Sequence, residues 1–566
     1  MDPVSATSPS TAATSRRGVV AAGHADEVAA GLAILESGGN AIDALVAAAF
    51  TGYVVEPTMC GIGGYGRLSA FVAGSGELIS VDHYVRAPAA ARPDMFEIDE
   101  SKGLTYYETP YTKGMKAERG PLSVAVPGAV AGLYWAQRQL GRLPWAAVLQ
   151  PAIESAKAGL AVTWPLLLHL AQNFESVRAS PDFAAMFLVD GRLPQAPGQL
   201  GGGDRLDRSA LAATLERIAR EGVAGFYAGP VAASMAAACQ AGGGILSEAD
   251  LAAYRPRILR ERPQRYRGLH YVTCYDQVGY EALNILDQFD LAALGSDSAA
   301  FRHIAAEAMA MAFVDNIAHY GDPDFVPEAP VNALASRAFG ARRAAMLDRA
   351  RALPRPLAAL DPGSAPEGGD VRITDPPWPP RLAGTSQMAA ADAEGNMVSL
   401  ITSISAGSYV AVPESGIILN NSMNNFDPRP GRPNSIAPGK MPIFAVPTLV
   451  AAKDGRAVFA AGGSGGYRIT TAILHPLVYW HDFKMRLADA VAAPRVHCQG
   501  KDTYVDARIA PAVREALAAF GHRVVVQGDS PGLNAYGRVS AVAFDPSTGL
   551  LSAASGPPWL GAAGGL

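Results

Sequence analysis

The stretch that most constrains this chain runs from Asp361 to Ser403. Its first part is rich in breakers, with Pro-Pro at 376–377 and again at 379–380, and reads as a flexible linker. At Thr385 it passes into an apolar run that reads as a strand, the Glu394-Gly395-Asn396 turn reverses the chain, and Met397 to Ser403 returns as a second strand. A Gly-Thr peptide therefore sits where a linker meets a hairpin. If that peptide is cut, Thr385 carries both a hydroxyl nucleophile and a free α-amine, and an α-amine titrates at about 7.7–8.0, poised to act as its base. Gly384 adds no side chain to obstruct attack on its carbonyl.

With 566 residues, 49% of them hydrophobic, the chain can bury a large interior, and length alone allows roughly three or four domains. A net charge of −5 gives no electrostatic footprint for nucleic acid, and short basic runs such as Arg342-Arg343 carry no interleaved aromatics. Cys60, Cys239, Cys274 and Cys498 have neither zinc-like nor redox spacing and read as buried thiols in a reducing compartment. Residues 1–17 lack a hydrophobic signal core and are expected to be disordered, and no apolar run is long enough for a membrane span. A cytoplasmic protein that binds neither membrane nor nucleic acid is expected. His475 and His481 lie six apart and His497-Cys498 stands alone, so no metal and no cofactor is expected.

Taken in order, two helices over Asp26–Glu36 and Ala41–Tyr53 precede the glycine-rich Gly61-Ile62-Gly63-Gly64 and strands at 67–72 and 78–84. A dinucleotide fingerprint needs a strand before its glycines and a helix after; here the order is reversed. Residues 120–350 read as helical scaffold. Beyond the linker, strands dominate, and the hairpin at 447–461 feeds Gly462-Gly463-Ser464-Gly465-Gly466 and then a helix. A glycine loop entering a helix N-terminus leaves N–H groups that can face an oxyanion.

These motifs resemble, in order and over nearly the whole length, the γ-glutamyltransferase family of N-terminal nucleophile hydrolases. The resemblance rests on Gly38-Gly39-Asn40-Ala41-Ile42-Asp43, Val55-Glu56-Pro57, Gly61 to Gly64, Ser123 to Gly128, Leu143-Pro144-Trp145, Gly243 to Leu246, Gly321 to Asp324, Thr385 with Asn396, Ser415 to Asn421 and Gly462 to Gly466. It implies an α+β fold, the four-layer αββα sandwich with extra helices, and self-cleavage between Gly384 and Thr385. A large subunit of residues 18–384 and a small one of 385–566 would follow, joined before cleavage through the linker at about 361–384, with a dimer of such heterodimers left open. Thr385 would attack an amide and form an acyl-enzyme. Gly465 and Gly466 would supply oxyanion N–H groups, and Ser403 a hydroxyl that steadies the new amine.

The departures from the family fall where it grips glutamate. Tyr84 stands in place of the arginine for the substrate carboxylate, with Arg86 displaced toward Pro88; Ile443 and Phe444 replace adjacent serines; Asn425 replaces the acid that pairs with the α-ammonium, and Ser422 a polar partner. Ser386 and Gln387 replace a threonine and a histidine after the nucleophile. Tyr84, Arg86, Ser405, Ser422, Asn425, Ile443 and Phe444 are the expected substrate-binding set. Losing a carboxylate and its opposing cation removes charge-assisted bonds worth roughly 1.5–3 kcal/mol each. The leading expectation is a hydrolase or acyltransferase for a small or apolar amide, oxamate-like or an acylated amine. The alternatives are a γ-glutamyl hydrolase or transpeptidase with a rebuilt grip, and a catalytically silent binding protein.

Overall fold

The computed structural model describes residues 11–105, 108–198, 201–260, 263–326, 332–361, 384–405, 407–443, 446–528, 535–556 and 559–566. The linker between Asp361 and Gly384 lies outside them, as does Phe444. Two seven-stranded sheets form the centre, and among the described residues every strand pairing within them is antiparallel. One runs, edge to edge, Ala562–Gly565, Gly18–Ala22, Thr385–Asp392, Met397–Ser403, Tyr65–Val72, Glu77–His83, Arg257–Leu259. The other runs Ala12–Ser15, Leu550–Ser555, Arg538–Asp545, Arg456–Ser464, Thr448–Lys453, Leu269–Val272, Gln264–Tyr266.

The period of two sorts the side chains into layers. Along the strand Thr385–Asp392, Ala389 and Ala391 pack between the sheets with Val19, Phe71, Val450 and Val542. Met388 and Ala390 face the opposite way, into a layer built from helices such as Ala41–Val55 and Trp145–Ala158. Helices Gln277–Leu286, Ala299–His319 and Arg468–His481 cover the outer face of the second sheet. The αββα sandwich follows. Burial on both faces explains how an alanine-rich stretch of weak strand propensity becomes a central strand.

Two sequence expectations are corrected. Residues 12–15 are not disordered: they form an edge strand on Leu550–Ser555, and the Ser15 hydroxyl donates to the Leu566 carbonyl at 2.5 Å. That partner comes from the far end of the chain, so local composition carried no sign of it. The stretch 120–350 is not purely helical, since Arg257–Leu259, Gln264–Tyr266 and Leu269–Val272 join the two sheets at their edges. These short strands take their backbone partners from distant segments and have too few residues to show a period. Among the described residues, no helix is long and apolar enough to cross a membrane.

Candidate active site

The hairpin turn sets the register of the site. Asp392 Oδ1 accepts from the Glu394 and Asn396 amides at 3.0 Å each, and Asn396 Nδ2 donates to Asp392 Oδ2 at 2.8 Å. With Gly395 at φ 95° closing the bend, Thr385 falls opposite Ser403, and Ser403 opposite Tyr65 on the next strand. Tyr84 follows one residue beyond the His83–Gly66 pair. Thr385, Ser403, Tyr65 and Tyr84 thus form one rung across four strands, at the end of the sandwich.

Hydrogen bonds link this rung. Thr385 Oγ1 lies 3.1 Å from Ser403 Oγ; Ser403 Oγ donates to the Gly384 carbonyl and accepts from the Ser405 amide at 3.0 Å. The single hydroxyl proton of Ser403 is spent on Gly384, so Thr385 is the donor in the Thr385–Ser403 pair. That leaves lone pairs of Thr385 Oγ1 beside a carbonyl already polarised by Ser403. Ser405, held at φ 55°, pairs its hydroxyl with Tyr65 Oη at 2.6 Å. Asn425 Nδ2 donates to Tyr84 Oη at 3.0 Å and reaches Tyr65 Oη at 3.5 Å, and the two tyrosine rings lie 4.3 Å apart. Ser422 shares the short turn Ser422–Asn425, and Ser422 Oγ and Asn425 Oδ1 are buried without a hydrogen-bond partner among the described residues.

Two close approaches require glycine. A Cβ on Gly64 would lie 2.1 Å from the Ser403 carbonyl oxygen, so this residue lets the site strand come in. A Cβ on Gly462 would lie 2.6 Å from the Leu400 carbonyl of the facing sheet. From Gly462 the strand runs on to Ser464, which pairs with Arg538, and Gly465 and Gly466, at φ 131° and 63°, lead from it into helix Arg468–His481.

Not every expected residue joins. Arg86 Nη1 donates to the Gly439 carbonyl at 3.3 Å rather than to the tyrosine–asparagine network. Ile443 packs on Tyr320, and Asn434 ties it to the site turn by donating to the Asn425 carbonyl at 2.8 Å and accepting from the Ile443 amide at 2.9 Å.

Several residues emerge only in three dimensions. Two rungs below the site, Arg67 pairs with Asp82 at 3.2 Å, both fully buried, with the guanidinium 4.8 Å from the Tyr84 ring centre. A cation is thus present beneath the pocket, already neutralised. On the helix side, Ser386 donates to Glu56 at 2.6 Å. Burial, and next the neighbouring Glu56, push the Glu27 carboxyl well above its ordinary range. Arg538 Nη2 donates to the Thr385 carbonyl at 3.0 Å. Charged residues in otherwise apolar strands and helices were the available signal.

Among the described residues, two groups of possible metal ligands also assemble, His303–Glu307–His522 and Glu27–Glu56–Cys60. Neither suits a cation. His303 Nδ1 and His522 Nε2 bond each other at 2.6 Å, and Arg355 lies on both Glu307 oxygens at 2.7 and 3.2 Å. In the second group burial, and next Glu56, raise the Glu27 carboxyl and burial raises the Cys60 thiol, which disfavours the deprotonated forms a metal needs.

A four-layer sandwich opening on a hairpin of this kind is the architecture of the N-terminal nucleophile amide hydrolases, and the protein is an enzyme of that class. The chain belongs to the gamma-glutamyltranspeptidase family, whose sequence model matches residues 28–565. It is 36% identical over 556 residues to the acylase ACY 1 proenzyme of Pseudomonas sp. strain SE83, covering 96% of this chain and 92% of that one. It is 32% identical over 516 residues to the glutathione hydrolase proenzyme of Pseudomonas sp. strain A14, covering 87% and 84%. The crystal structure of cephalosporin acylase from Bacillus halodurans superposes with a TM-score of 0.83 at 28% identity, covering 100% of this chain and 99% of that one.

Proposed function

We propose that Thr385 is the nucleophile of a self-processing amide hydrolase or acyltransferase, and that its acyl pocket takes a small or apolar acyl group rather than γ-glutamyl. In the precursor, Thr385 Oγ1 attacks the Gly384 carbonyl carbon, whose oxygen the Ser403 hydroxyl holds, and the Oγ1 proton passes to the Thr385 nitrogen as the Gly384–Thr385 C–N bond breaks. Water then hydrolyses the resulting ester, leaving residues 1–384, of which 18–384 are the expected large subunit, and 385–566 as the small one. In the mature enzyme the α-amine takes the Oγ1 proton as the oxygen bonds to the acyl carbon. That proton then passes to the leaving amine as the C–N bond breaks. Water or a second amine releases the acyl group by the reverse route. Gly465 and Gly466 stabilise the oxyanion.

One observation carries the reading: the register that sets Ser403 against Thr385 while its proton is committed to Gly384. The acyl specificity draws support from Tyr84, Asn425 and Ile443. A neutral network of hydroxyl and amide occupies the positions where the family resemblance places charged partners, while Arg86 is turned to Gly439. The acylase relative, matched at higher identity than the glutathione hydrolase, agrees in direction.

The test has two parts. Purified protein should resolve into two fragments, the smaller beginning Thr-Ser-Gln-Met, while Thr385→Ala stays one inactive chain. The cut protein, offered γ-glutamyl, glutaryl, acetyl and oxamyl anilides, should favour the smaller neutral acyl groups. Active, uncut protein would overturn the nucleophile, and a preference for the γ-glutamyl anilide would overturn the specificity.

A further inference from the structure

Arg538 opens the strand Arg538–Asp545 in the sheet opposite the nucleophile. Its backbone pairs with Ser464, the last residue before Gly465-Gly466. Only 3% of it is exposed, and its guanidinium crosses between the sheets to the Thr385 carbonyl at 3.0 Å. The ring of Trp559 lies beneath that guanidinium at 4.3 Å. Trp559 in turn meets Trp164 edge to face at 4.7 Å, at the first turn of helix Trp164–Gln172. Trp164 and Trp559 lie on opposite sides of the Gly384–Thr385 peptide in sequence. The seat of the arginine is therefore built from both halves of the chain.

The carbonyl that Arg538 holds belongs to the residue whose amine must act as base. Within one residue, covalent geometry keeps the backbone nitrogen within about 4 Å of the carbonyl oxygen. A guanidinium bonded to that oxygen thus lies about 6 Å from the nitrogen. At an effective dielectric of about 20, a unit charge at that distance moves a neighbouring titration by one to two pH units, disfavouring the ammonium.

The other charged and titratable groups around this point offset it little. On the helix side Glu56 reaches only as far as Ser386, and burial, then the neighbouring Glu56, hold the Glu27 carboxyl well above its ordinary range. The Cys60 thiol is held neutral by burial. Arg67 and Asp82, two rungs below, cancel each other, and Ser403, Ser405 and Tyr65 complete the rung with hydroxyls.

We propose that Arg538 is a positioning residue for the nucleophile: it fixes the Thr385 main chain from the facing sheet and keeps the Thr385 α-amine unprotonated at neutral pH. This rests on the reading of Thr385 as nucleophile, and its failure can be told apart from the failure of that reading. Self-cleaved protein is methylated with 13C-formaldehyde and the small-subunit amine is titrated by NMR, a readout that needs no substrate.

The wild-type amine should titrate below the ordinary 7.7–8.0, and Arg538→Met should raise it by about one unit. Arg538→Lys, which keeps the charge, should stay near wild type. The acid limb of kcat/KM against pH for the best anilide should move by the same amount. An unchanged amine in Arg538→Met would overturn the proposal. Should Arg538→Met remain uncut, Arg538→Gln decides, because it retains a donor for the Thr385 carbonyl but no charge. If both neutral variants stay uncut while Arg538→Lys is processed, the charge is what the site requires. If Arg538→Lys also stays uncut, only a structural role remains and the proposal falls. A small fragment that starts anywhere other than Thr385 refutes the nucleophile instead.

Discussion

The hydroxyls of Thr385 and Ser403 lie 3.1 Å apart across the first rung of the hairpin, and the Ser403 proton goes to the carbonyl of Gly384. In the proposed self-cleavage Ser403 thereby acts on the Gly384–Thr385 peptide before the α-amine exists. Ser403→Ala should slow self-cleavage by about 10²–10³-fold, the usual cost of removing one oxyanion donor, whereas Ser403→Thr, which keeps the hydroxyl, should process nearly as wild type. A time course of precursor and fragments on a denaturing gel reads this directly. Equal rates for Ser403→Ala and wild type would remove Ser403 from the mechanism.

The acyl pocket should discriminate against glutamyl donors. Two or three missing charge-assisted contacts, at roughly 1.5–3 kcal/mol each, correspond to about three orders of magnitude or more in kcat/KM. Asn425→Asp alone should recover little, since Tyr84 and Ile443 still stand where the carboxylate end would lie. Adding Ile443→Ser should recover more than the two single changes predict together, because both act on one ligand. Kinetics with a γ-glutamyl anilide across the four proteins checks the coupling.

Gly64→Ala should be costly, because its Cβ would sit 2.1 Å from the Ser403 carbonyl oxygen and neither backbone can yield alone. A loss of about 1–3 kcal/mol is expected, together with impaired cleavage, since the same shift displaces Ser403. Gly74→Ala, which meets nothing within 4 Å, is the control, with a change within about 0.5 kcal/mol. Denaturant midpoints for the two variants provide the comparison.

Asp276 supplies a pH dependence of stability. Burial lifts its carboxyl from 3.8 to about 7, and Oδ1 has no hydrogen-bond partner among the described residues. The folded state holds this proton more tightly than the unfolded one. Its contribution is therefore full below about pH 3.8 and is lost as pH rises toward and through 7, by at most about 1.4 kcal/mol per unit. Asp276→Asn should gain on wild type between pH 5 and pH 8 in paired urea unfolding curves. A constant difference across that range would show that Asp276 does not titrate there.

Chelation should leave both activity and melting temperature unchanged. Arg355 already neutralises Glu307, and the ring nitrogens of His303 and His522 that would face an ion are bonded to each other. Zinc-dependent recovery after dialysis against a chelator would contradict this.

The hairpin, the glycine loop and the order of motifs were legible in the chain because they are local. Turn chemistry at Glu394-Gly395-Asn396 specifies which residue faces Thr385, and a one-residue slip would turn Ser403 to the wrong face. The family resemblance also singled out Tyr84, Asn425 and Ile443 one by one. Sequence reasoning could not show that Asn425 bonds Tyr84, nor that Asn434 links the Asn425 turn to Ile443.

What the sequence determined by itself was the hairpin and the Gly384–Thr385 peptide at its mouth, since breakers and turn residues act over a few positions; the layered architecture was implied by the family resemblance. Tertiary structure alone decided the electrostatics. Arg538 reaches Thr385 across 153 positions and Ser386 meets Glu56 across 330, while Arg67 lies under Tyr84 only because two strands pair in one register. A charge acts through space and desolvation, and neither is specified until distant segments have packed.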